Sequence, residues 1–203
     1  MSPIKIYSMA LQDRSDRVRW LLEELHVPYE NIFLKKKNGE MNSPEYRKLN
    51  PMGRVPTIND GGTVIHESAA ICLYLADKYR QVKLAPEIND PLRAEYLQWM
   101  VFSTATLECV VAKMFYLDGK TEAEKNFELN YIKEQCEILK LAIEPILSKQ
   151  DYFLKSGFSA VDIMMAAVLP GAEEFLAPAG SGTARFLERM RARPLAKKVE
   201  VFA

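Results

Sequence analysis

The stretch of residues 54–71 reads RVPTINDGGTVIHESAAI. Its segments VPTIND and TVIHE have the composition of strands and flank Gly61-Gly62, a pair typical of a tight hairpin turn. A helical pattern starts directly after the second segment, at Glu67 and Ser68. The stretch therefore predicts a β-hairpin followed by a helix, with a proline at the entry of the hairpin and an acid-hydroxyl pair at its exit.

The residues before this hairpin alternate between strand and helix patterns. IKIYSMA and YENIFLK have strand patterns, and SDRVRWLLEELH between them has the spacing of an amphipathic helix. Such alternation indicates a sheet with some parallel pairing and with helices packed against it. After the proline-bounded LAPEINDP, every segment has a helical pattern. We therefore expect an α/β domain at 1–80, a linker at 81–90 and an all-helical domain at 91–203.

Two helix starts can be located from their capping residues. Ser15 precedes the apolar-periodic run of the first helix, where a hydroxyl can accept a hydrogen bond from a free backbone amide. SAVD, from Ser159 to Asp162, has the spacing of a capping box, with the aspartate in place of the usual Glu or Gln. Both serines are therefore predicted to stabilise the starts of helices.

Charge and hydropathy narrow the classes of partner. The 203 residues include 27 basic and 27 acidic side chains, so no excess of positive charge predicts a nucleic-acid or membrane surface. The longest apolar runs, such as IMMAAVL, are far shorter than the roughly 20 residues that cross a bilayer. The N-terminal residues lack the pattern of a secretory signal. We expect a cytoplasmic protein with a small-molecule partner, and neither nucleic acid nor membrane.

Three cysteines, Cys72, Cys109 and Cys136, lie far apart in apolar helical patterns. This spacing is typical of neither a disulfide framework nor a metal site. Free cysteines in such patterns usually behave as small hydrophobic residues. We therefore expect three reduced thiols in the core and no bound metal.

The hairpin carries groups that suit a short peptide. An X-Pro bond adopts the cis form at a cost of roughly 0.5–1 kcal/mol, so Val55-Pro56 can turn the chain sharply and leave the main-chain groups of Val55 outside the sheet. Such groups can pair with an extended peptide. Glu67 suits an ammonium group, and Ser68 at a helix N-terminus suits a carboxylate. Each feature alone also fits an edge-strand proline or a helix cap, but together they favour a peptide with free amino and carboxylate groups.

These residues resemble those of the soluble glutathione S-transferases, in particular bacterial theta-like and zeta-like members. The segments SPEYRKLNPMGRVPTI, HESAAICLYLADKY, RVRWLLEELHVPYE and FSAVDIMMA carry the resemblance, which covers the whole chain. It implies a thioredoxin-like βαβ-ββα domain that binds glutathione. It also implies an all-α domain that supplies a pocket for a hydrophobic electrophile, and a homodimer.

The resemblance also implies roles for single residues. Val55 would pair with the cysteinyl backbone of glutathione, and Pro56 would be the cis proline. Glu67 with Ser68 would hold the γ-glutamyl end, and Arg54 would lie near the glycyl carboxylate. Glutathione would be a co-substrate, and no further cofactor is implied.

The residue that activates the thiol is where this sequence departs from the family pattern. Many relatives have a serine five residues before the Arg-Val of the first helix, but Gln12 occupies that position here. Only the thiolate is a competent nucleophile, and a thiol with a pKa of about 8.5 is mostly protonated at neutral pH. A hydrogen-bond donor to the thiolate lowers this pKa. The candidate donors are Tyr7 in the first strand, Ser15, and the amide of Gln12.

In the helical domain, Ser103, Thr104 and Leu107 lie at helical spacing in a region that lines the co-substrate pocket in the family. The resemblance therefore implies that these side chains contact the second substrate. An apolar stripe at this spacing also fits ordinary core packing.

Two functional hypotheses follow. The first is an enzyme of detoxification that transfers the glutathione thiolate to a hydrophobic electrophile, or uses glutathione in peroxidase or isomerase chemistry. The second is a non-catalytic binding module, as in stringent-starvation regulators and the transferase-like domains of translation factors. The absent serine favours the module, and the intact Val-Pro and Glu-Ser pairs favour the enzyme. A redox variant with an N-terminal cysteine is disfavoured because no cysteine precedes Cys72.

Overall fold

The computed structural model describes residues 3–202, which divide into two compact units. The first unit comprises residues 3–85 together with 193–202, and the second comprises residues 86–192. Within the described residues, no helix is both long and apolar enough to cross a lipid bilayer.

The first unit contains a four-stranded mixed sheet with the strand order β2-β1-β3-β4. β1 runs parallel to β2 and antiparallel to β3, and β3 runs antiparallel to β4. This βαβ-ββα arrangement confirms the predicted thioredoxin-like fold class. The elements are β1 (Ile4–Ser8), α1 (Asp16–Glu24), β2 (Tyr29–Phe33), α2 (Pro44–Leu49), β3 (Thr57–Asp60), β4 (Thr63–His66) and α3 (Ser68–Lys78).

The hairpin between β3 and β4 forms at the predicted place. Asp60 pairs with Thr63, so Gly61 and Gly62 make a two-residue turn, and their φ angles are 59° and 102°. Positive φ at both central residues suits glycine, which has no Cβ to clash with the backbone. The amide of Gly62 donates to the side chain of Asn59 at 2.8 Å. This turn sets the register of the hairpin.

The core of the first unit follows from the alternation in the strands. Ile6 of β1 lies opposite Ile58 of β3, and both are fully buried. α1 and α3 contact each other through their apolar faces. Their fully buried apolar side chains include Val18, Leu21 and Leu22 from α1, and Ile71 and Leu75 from α3.

The second unit is helical, as the sequence predicts. One turn of π-helix spans Ser103–Leu107 between its first two α-helices, and short 3₁₀ segments include Ala112–Tyr116 and Leu169–Ala172. Its helices are α4 (Arg93–Phe102), α5 (Glu108–Val111), α6 (Glu122–Leu147), α7 (Ala160–Ala166), α8 (Glu173–Leu176) and α9 (Gly182–Ala192). The first unit has 3₁₀ segments at Lys36–Asn38, Glu40–Asn42 and Arg80–Val82.

The C-terminal segment groups with the first unit, whereas the predicted boundary placed it in the helical domain at 91–203. It contains α10 (Pro194–Lys198), which contacts α1. Arg193 donates through Nε and Nη2 to the two carboxylate oxygens of Glu24, both at 2.9 Å. The ring of Phe202 contacts that of Trp20 edge-on, with a centroid separation of 5.7 Å. A helical pattern identifies the helix but not the core on which it packs.

The capping box predicted at the start of α7 is present and buried. The backbone N–H and the hydroxyl of Ser159 both donate to Oδ2 of Asp162, at 2.8 and 3.1 Å. The amide of Phe153 donates to Oδ1 at 2.9 Å. Burial raises the pKa of Asp162 to about 6, although these donors act to lower it. The carboxyl group therefore joins the backbone of the buried Phe153 to the helix start.

The chain has a buried capping box at Ser159 and an exposed one at Thr121, so the effect of burial on the stability that a capping box contributes can be measured. Asp162→Ala should lower the free energy of unfolding by about 2–4 kcal/mol, because it leaves several buried donors without acceptors. Glu124→Ala removes the acidic member of the exposed box at Thr121, and should cost about 0.5–1 kcal/mol. Denaturant unfolding measures both. Equal losses for the two variants would show that the buried box has no special role.

Candidate active site

Residues from three loops meet at one end of the sheet because of the strand register. Thr57, the first residue of β3, pairs with Tyr7 near the end of β1 and with His66 at the end of β4. Pro56 directly precedes Thr57 at the start of β3, and Glu67 directly follows His66 at the end of the neighbouring antiparallel strand β4. The register therefore brings together the proline turn, the start of α3 and the connection that leaves β1.

The proline turn has the geometry that the sequence predicts. The Val55-Pro56 peptide bond is cis, and Pro56 is buried while Val55 is half-buried. The pairing of β3 with its two neighbours begins at Thr57, and within residues 3–202 no backbone hydrogen bond involves Val55. The N–H and C=O of Val55 thus lie outside the sheet. The neighbouring Arg54 is exposed.

The start of α3 has an unusual backbone. Glu67 has a φ of 74°, in the left-handed region that residues with a Cβ rarely adopt, at a typical cost of about 1–3 kcal/mol. Its side chain is exposed, and among the described residues it makes no capping hydrogen bond to α3. Ser68 is 5% exposed and is the first residue of this 11-residue helix. The Glu67 carboxylate is therefore available to solvent, beside the positive end of the helix dipole.

Arg17 also lies at the candidate site, although the sequence patterns do not indicate it. It is 4% exposed, and its Nη1 donates to Oγ of Ser68 at 3.3 Å. Because the serine oxygen accepts this bond, its hydroxyl proton remains available to another acceptor. The signal in the sequence was slight: Arg17 is a charged residue on a helix whose buried residues are otherwise mostly apolar.

The connection between β1 and α1 is organised by Asp13. Its carboxylate accepts from the amides of Met9 at 2.7 Å, Ala10 at 3.0 Å and Ser15 at 2.7 Å. It also accepts from the hydroxyl of Ser15. One acidic side chain thus satisfies three backbone donors of a loop that has no secondary structure of its own.

Ser15 is placed differently from the expectation of a cap. It does precede α1, but its hydroxyl donates to Asp13 and accepts from Nη1 of Arg19 at 2.9 Å instead of binding a helix amide. The side chain has no exposed surface. Arg19, one turn further along α1, donates to the Ser15 oxygen in place of a helix amide. The hydroxyl proton goes to Asp13 because a carboxylate is a stronger acceptor than a neutral carbonyl.

Of the other two candidate donors, Gln12 is exposed and has a φ of 63°. Tyr7 is half-buried, and its ring lies 5.5 Å from that of Tyr46 of α2, measured between centroids. Tyr7 and the residue opposite it, Thr57, share one face of the sheet. Tyr7 is therefore held close to the proline turn.

The residues predicted to line the co-substrate pocket fall in the π-helical turn. Ser103 and Leu107 have no exposed surface, and the Ser103 hydroxyl donates to the carbonyl of Met100 at 2.7 Å. Thr104 is half-buried, and its hydroxyl donates to the carbonyl of Val101 at 3.3 Å. In this structure only Thr104 of the three presents surface to solvent.

The cysteines only partly follow the prediction of three core thiols. Cys72 and Cys136 are buried, and burial raises their thiol pKa values to about 12 and about 11. Cys109 is exposed, which corrects the prediction at that position. In the described part of the chain, no cluster of His, Cys, Asp or Glu could hold a metal ion.

Together the groups at this end of the sheet are complementary to a zwitterionic peptide. Val55 offers a backbone donor and acceptor, Glu67 offers a carboxylate for an ammonium group, and Ser68 offers a hydroxyl beside helix amides. None of these groups is engaged in the sheet ladder.

Comparison with known proteins identifies the family. The profile for the N-terminal domain of glutathione S-transferases matches residues 2–77. Glutathione S-transferase hmp2 of Hypomyces subiculosus is 43% identical over 88 residues, which are 43% of this chain and only 41% of that protein. Glutathione S-transferase 2 of Schizosaccharomyces pombe is 30% identical over 80% of this chain and 73% of its own length.

A solved structure agrees with these three sequence matches. The theta class glutathione S-transferase from the citrus canker pathogen Xanthomonas axonopodis pv. citri, with glutathione bound, superposes with a TM-score of 0.83. It is 29% identical, and the superposition covers 100% of this chain and 99% of the other. The predicted resemblance is thereby confirmed, and this chain belongs to the soluble glutathione S-transferase family.

Proposed function

We propose that this protein binds glutathione at the end of the sheet where Val55, Glu67 and Ser68 lie. We propose further that it transfers the glutathione thiolate to a hydrophobic electrophile. One observation carries the proposal: the free backbone groups beside the cis proline lie next to an exposed carboxylate and a hydroxyl at a helix start. The glutathione bound in the Xanthomonas relative supports it. The non-catalytic alternative is not favoured, since the relatives compared are transferases.

In the proposed complex, each part of the tripeptide meets a matching group. The cysteinyl backbone pairs with the N–H and C=O of Val55, as a short added strand would. The γ-glutamyl ammonium group contacts Glu67, and its α-carboxylate accepts from the hydroxyl and amide of Ser68. The exposed Arg54 lies on the glycyl side. This arrangement places the thiol near the connection between β1 and α1.

The binding site can be tested by titration calorimetry. Glutathione should bind the wild type with micromolar to millimolar affinity, and Glu67→Ala or Ser68→Ala should each weaken binding about tenfold or more, the usual effect of losing a charge-assisted hydrogen bond. Glu30→Ala is the matched control, because Glu30 is an exposed carboxylate on β2, the edge strand farthest from β4. If Glu67→Ala and Ser68→Ala bind as tightly as Glu30→Ala, the site assignment is wrong.

We assign the activation of the thiol to Tyr7, with the Gln12 amide as the alternative donor. Ser15 is less suited, because its hydroxyl is buried and occupied by Asp13 and Arg19. A phenol that donates to the cysteinyl sulfur favours the thiolate, since each unit by which the thiol pKa falls raises the thiolate fraction about tenfold. The thiol proton passes to solvent, the sulfur forms a bond to the electrophilic carbon, and the leaving group departs with its electron pair.

Measurements of stability and of turnover should distinguish the role of Tyr7 from that of Ser15. Tyr7→Phe should lower turnover of 1-chloro-2,4-dinitrobenzene about tenfold or more at neutral pH and raise the pKa of the bound thiol, read from thiolate absorbance. Ser15→Ala should leave that pKa unchanged but lower the free energy of unfolding by about 1–3 kcal/mol, because Arg19 and Asp13 lose a buried partner. A raised thiol pKa in Ser15→Ala, with Tyr7→Phe unaffected, would reverse the assignment.

A homodimer in the cytoplasm, acting in detoxification, completes the proposal. α6 carries four exposed apolar side chains within one sector of its surface, at successive spacings of four, seven and three residues. These residues are Phe127, Tyr131, Ile138 and Leu141, of which Phe127 and Leu141 are 76% and 77% exposed. An exposed apolar stripe on a long helix is typical of an interface, and we assign it to a second copy of the chain.

Light scattering coupled to gel filtration tests this assembly. The measured molar mass of the wild type should be twice the 23.2 kDa of one chain. Leu141→Glu should lower the measured mass toward that of the monomer, because a charge buried in the interface opposes association. Ile88→Glu is the control, since Ile88 is also exposed in the second unit but lies outside α6. A monomeric wild type, or dimers of equal strength in both variants, would contradict the assigned interface.

A further inference from the structure

A buried hydrogen-bond network connects α2 to the residue before the proline turn. The phenol of Tyr46 donates to the carbonyl of Arg54 at 2.5 Å, and Nδ2 of Asn50 donates to the same carbonyl at 2.8 Å. Asn50 Nδ2 also donates to Oγ1 of Thr57 at 3.1 Å, and that hydroxyl lies 2.9 Å from the Tyr46 oxygen. Asn50 and Tyr46 are only 2% and 3% exposed, and Thr57 is fully buried.

Every proton of this network has an acceptor within reach. The two N–H groups of the Asn50 amide point to the Arg54 carbonyl and to Thr57, and the single proton of Tyr46 points to the same carbonyl. The Thr57 hydroxyl then has two acceptors within reach, the Tyr46 oxygen at 2.9 Å and the Arg54 carbonyl at 3.5 Å. Burial raises the pKa of the Tyr46 phenol, so it keeps this proton at physiological pH. Each donor therefore has an acceptor.

The network fixes the orientation of one peptide group. Both lone pairs of the Arg54 carbonyl are occupied by donors from the α2 side. The carbonyl of Arg54 and the N–H of Val55 belong to the same planar unit, which is trans, and the two therefore point in opposite directions. Holding the carbonyl toward Asn50 and Tyr46 directs the Val55 N–H away from α2. This N–H is also the last backbone donor before β3, because Pro56 has none.

We propose that Asn50 and Tyr46 are positioning residues that aim the Val55 amide at the peptide backbone of the ligand. The inference rests on the proposed function, in which the cysteinyl carbonyl of glutathione accepts from Val55. Neither side chain touches glutathione in this scheme. They act through the Arg54 peptide group, whose rotation would turn the donor out of line, and hydrogen bonds weaken steeply once they bend.

Two variants and a control test this inference. Tyr46→Phe removes one oxygen and keeps the ring, and Asn50→Ala removes both donors of the amide. Tyr74→Phe is the control, because Tyr74 also donates a hydrogen bond in the first unit, to Asp60 at 2.9 Å, but lies on α3 away from the network. Glutathione is titrated into each protein by calorimetry, and the backbone amides of Val55 and Ser68 are followed by ¹⁵N NMR.

The two site variants should bind glutathione about five- to thirtyfold more weakly, the range expected for one misaligned hydrogen bond, and Tyr74→Phe should bind as the wild type does. In both site variants, saturating glutathione should still shift the Ser68 amide but should no longer produce the wild-type shift of Val55. A role in folding alone would lower stability without this selective loss. Tyr46→Phe keeps the test valid if Asn50→Ala does not fold.

Two results overturn the inference. One is a dissociation constant within twofold of the wild type in Tyr46→Phe. The other is a wild-type response of the Val55 amide in that variant, whatever its affinity. A wild type that binds no glutathione at all would instead refute the proposed function, so the two failures are distinguishable.

Discussion

The pairing of Thr57 with Tyr7 on one side and with His66 on the other is the constraint on which the site depends. Antiparallel register at this one residue places the end of β1, the start of β3 and the end of β4 side by side. The hydroxyl of Thr57 also lies within hydrogen-bond distance of Tyr46 in α2 and of Asn50 at the end of that helix. A slip of one residue would move every side chain to the opposite face and would separate the proline turn from Glu67.

Beside the exposed groups lie polar contacts that are buried or half-buried. Asp13 holds the connection after β1, Arg17 reaches Ser68, and Asn50 with Tyr46 holds the carbonyl before Val55. Each of these side chains would be costly to bury without partners. Their satisfied contacts keep the loop groups in place before a ligand arrives, which lowers the ordering cost of binding.

Much of this architecture can be predicted from the sequence, because it follows from local signals. Strand alternation, the Gly61-Gly62 turn and the Val-Pro pair each act within a few residues, and the structure confirms them. The buried box at Ser159 and Asp162 belongs to the same class. Contacts over long sequence separations were missed. Nothing in the spacing of Arg17 indicates Ser68, 51 residues away, and nothing in a short helix near the C terminus indicates α1 as its partner.

The catalytic residue is the hardest to predict for a related reason. A hydroxyl such as that of Ser15 has the right chemistry in the sequence, and only its neighbours reveal that the hydroxyl is occupied. The role of a polar side chain depends on which groups hydrogen-bond to it in the folded protein. Those groups come from other parts of the chain. Tyr7 remains the best donor in our proposal because it lies beside the proline turn and is half-buried.

A crystal structure of the wild type with bound glutathione is the sharpest test of this binding mode. We expect the cysteinyl carbonyl oxygen about 2.9 Å from the Val55 nitrogen, and the γ-glutamyl carboxylate within hydrogen-bond distance of the Ser68 hydroxyl. Glutathione bound elsewhere, or bound here with the Val55 amide unused, would contradict the proposal that the turn before β3 holds the cysteinyl backbone while the start of α3 holds the γ-glutamyl end.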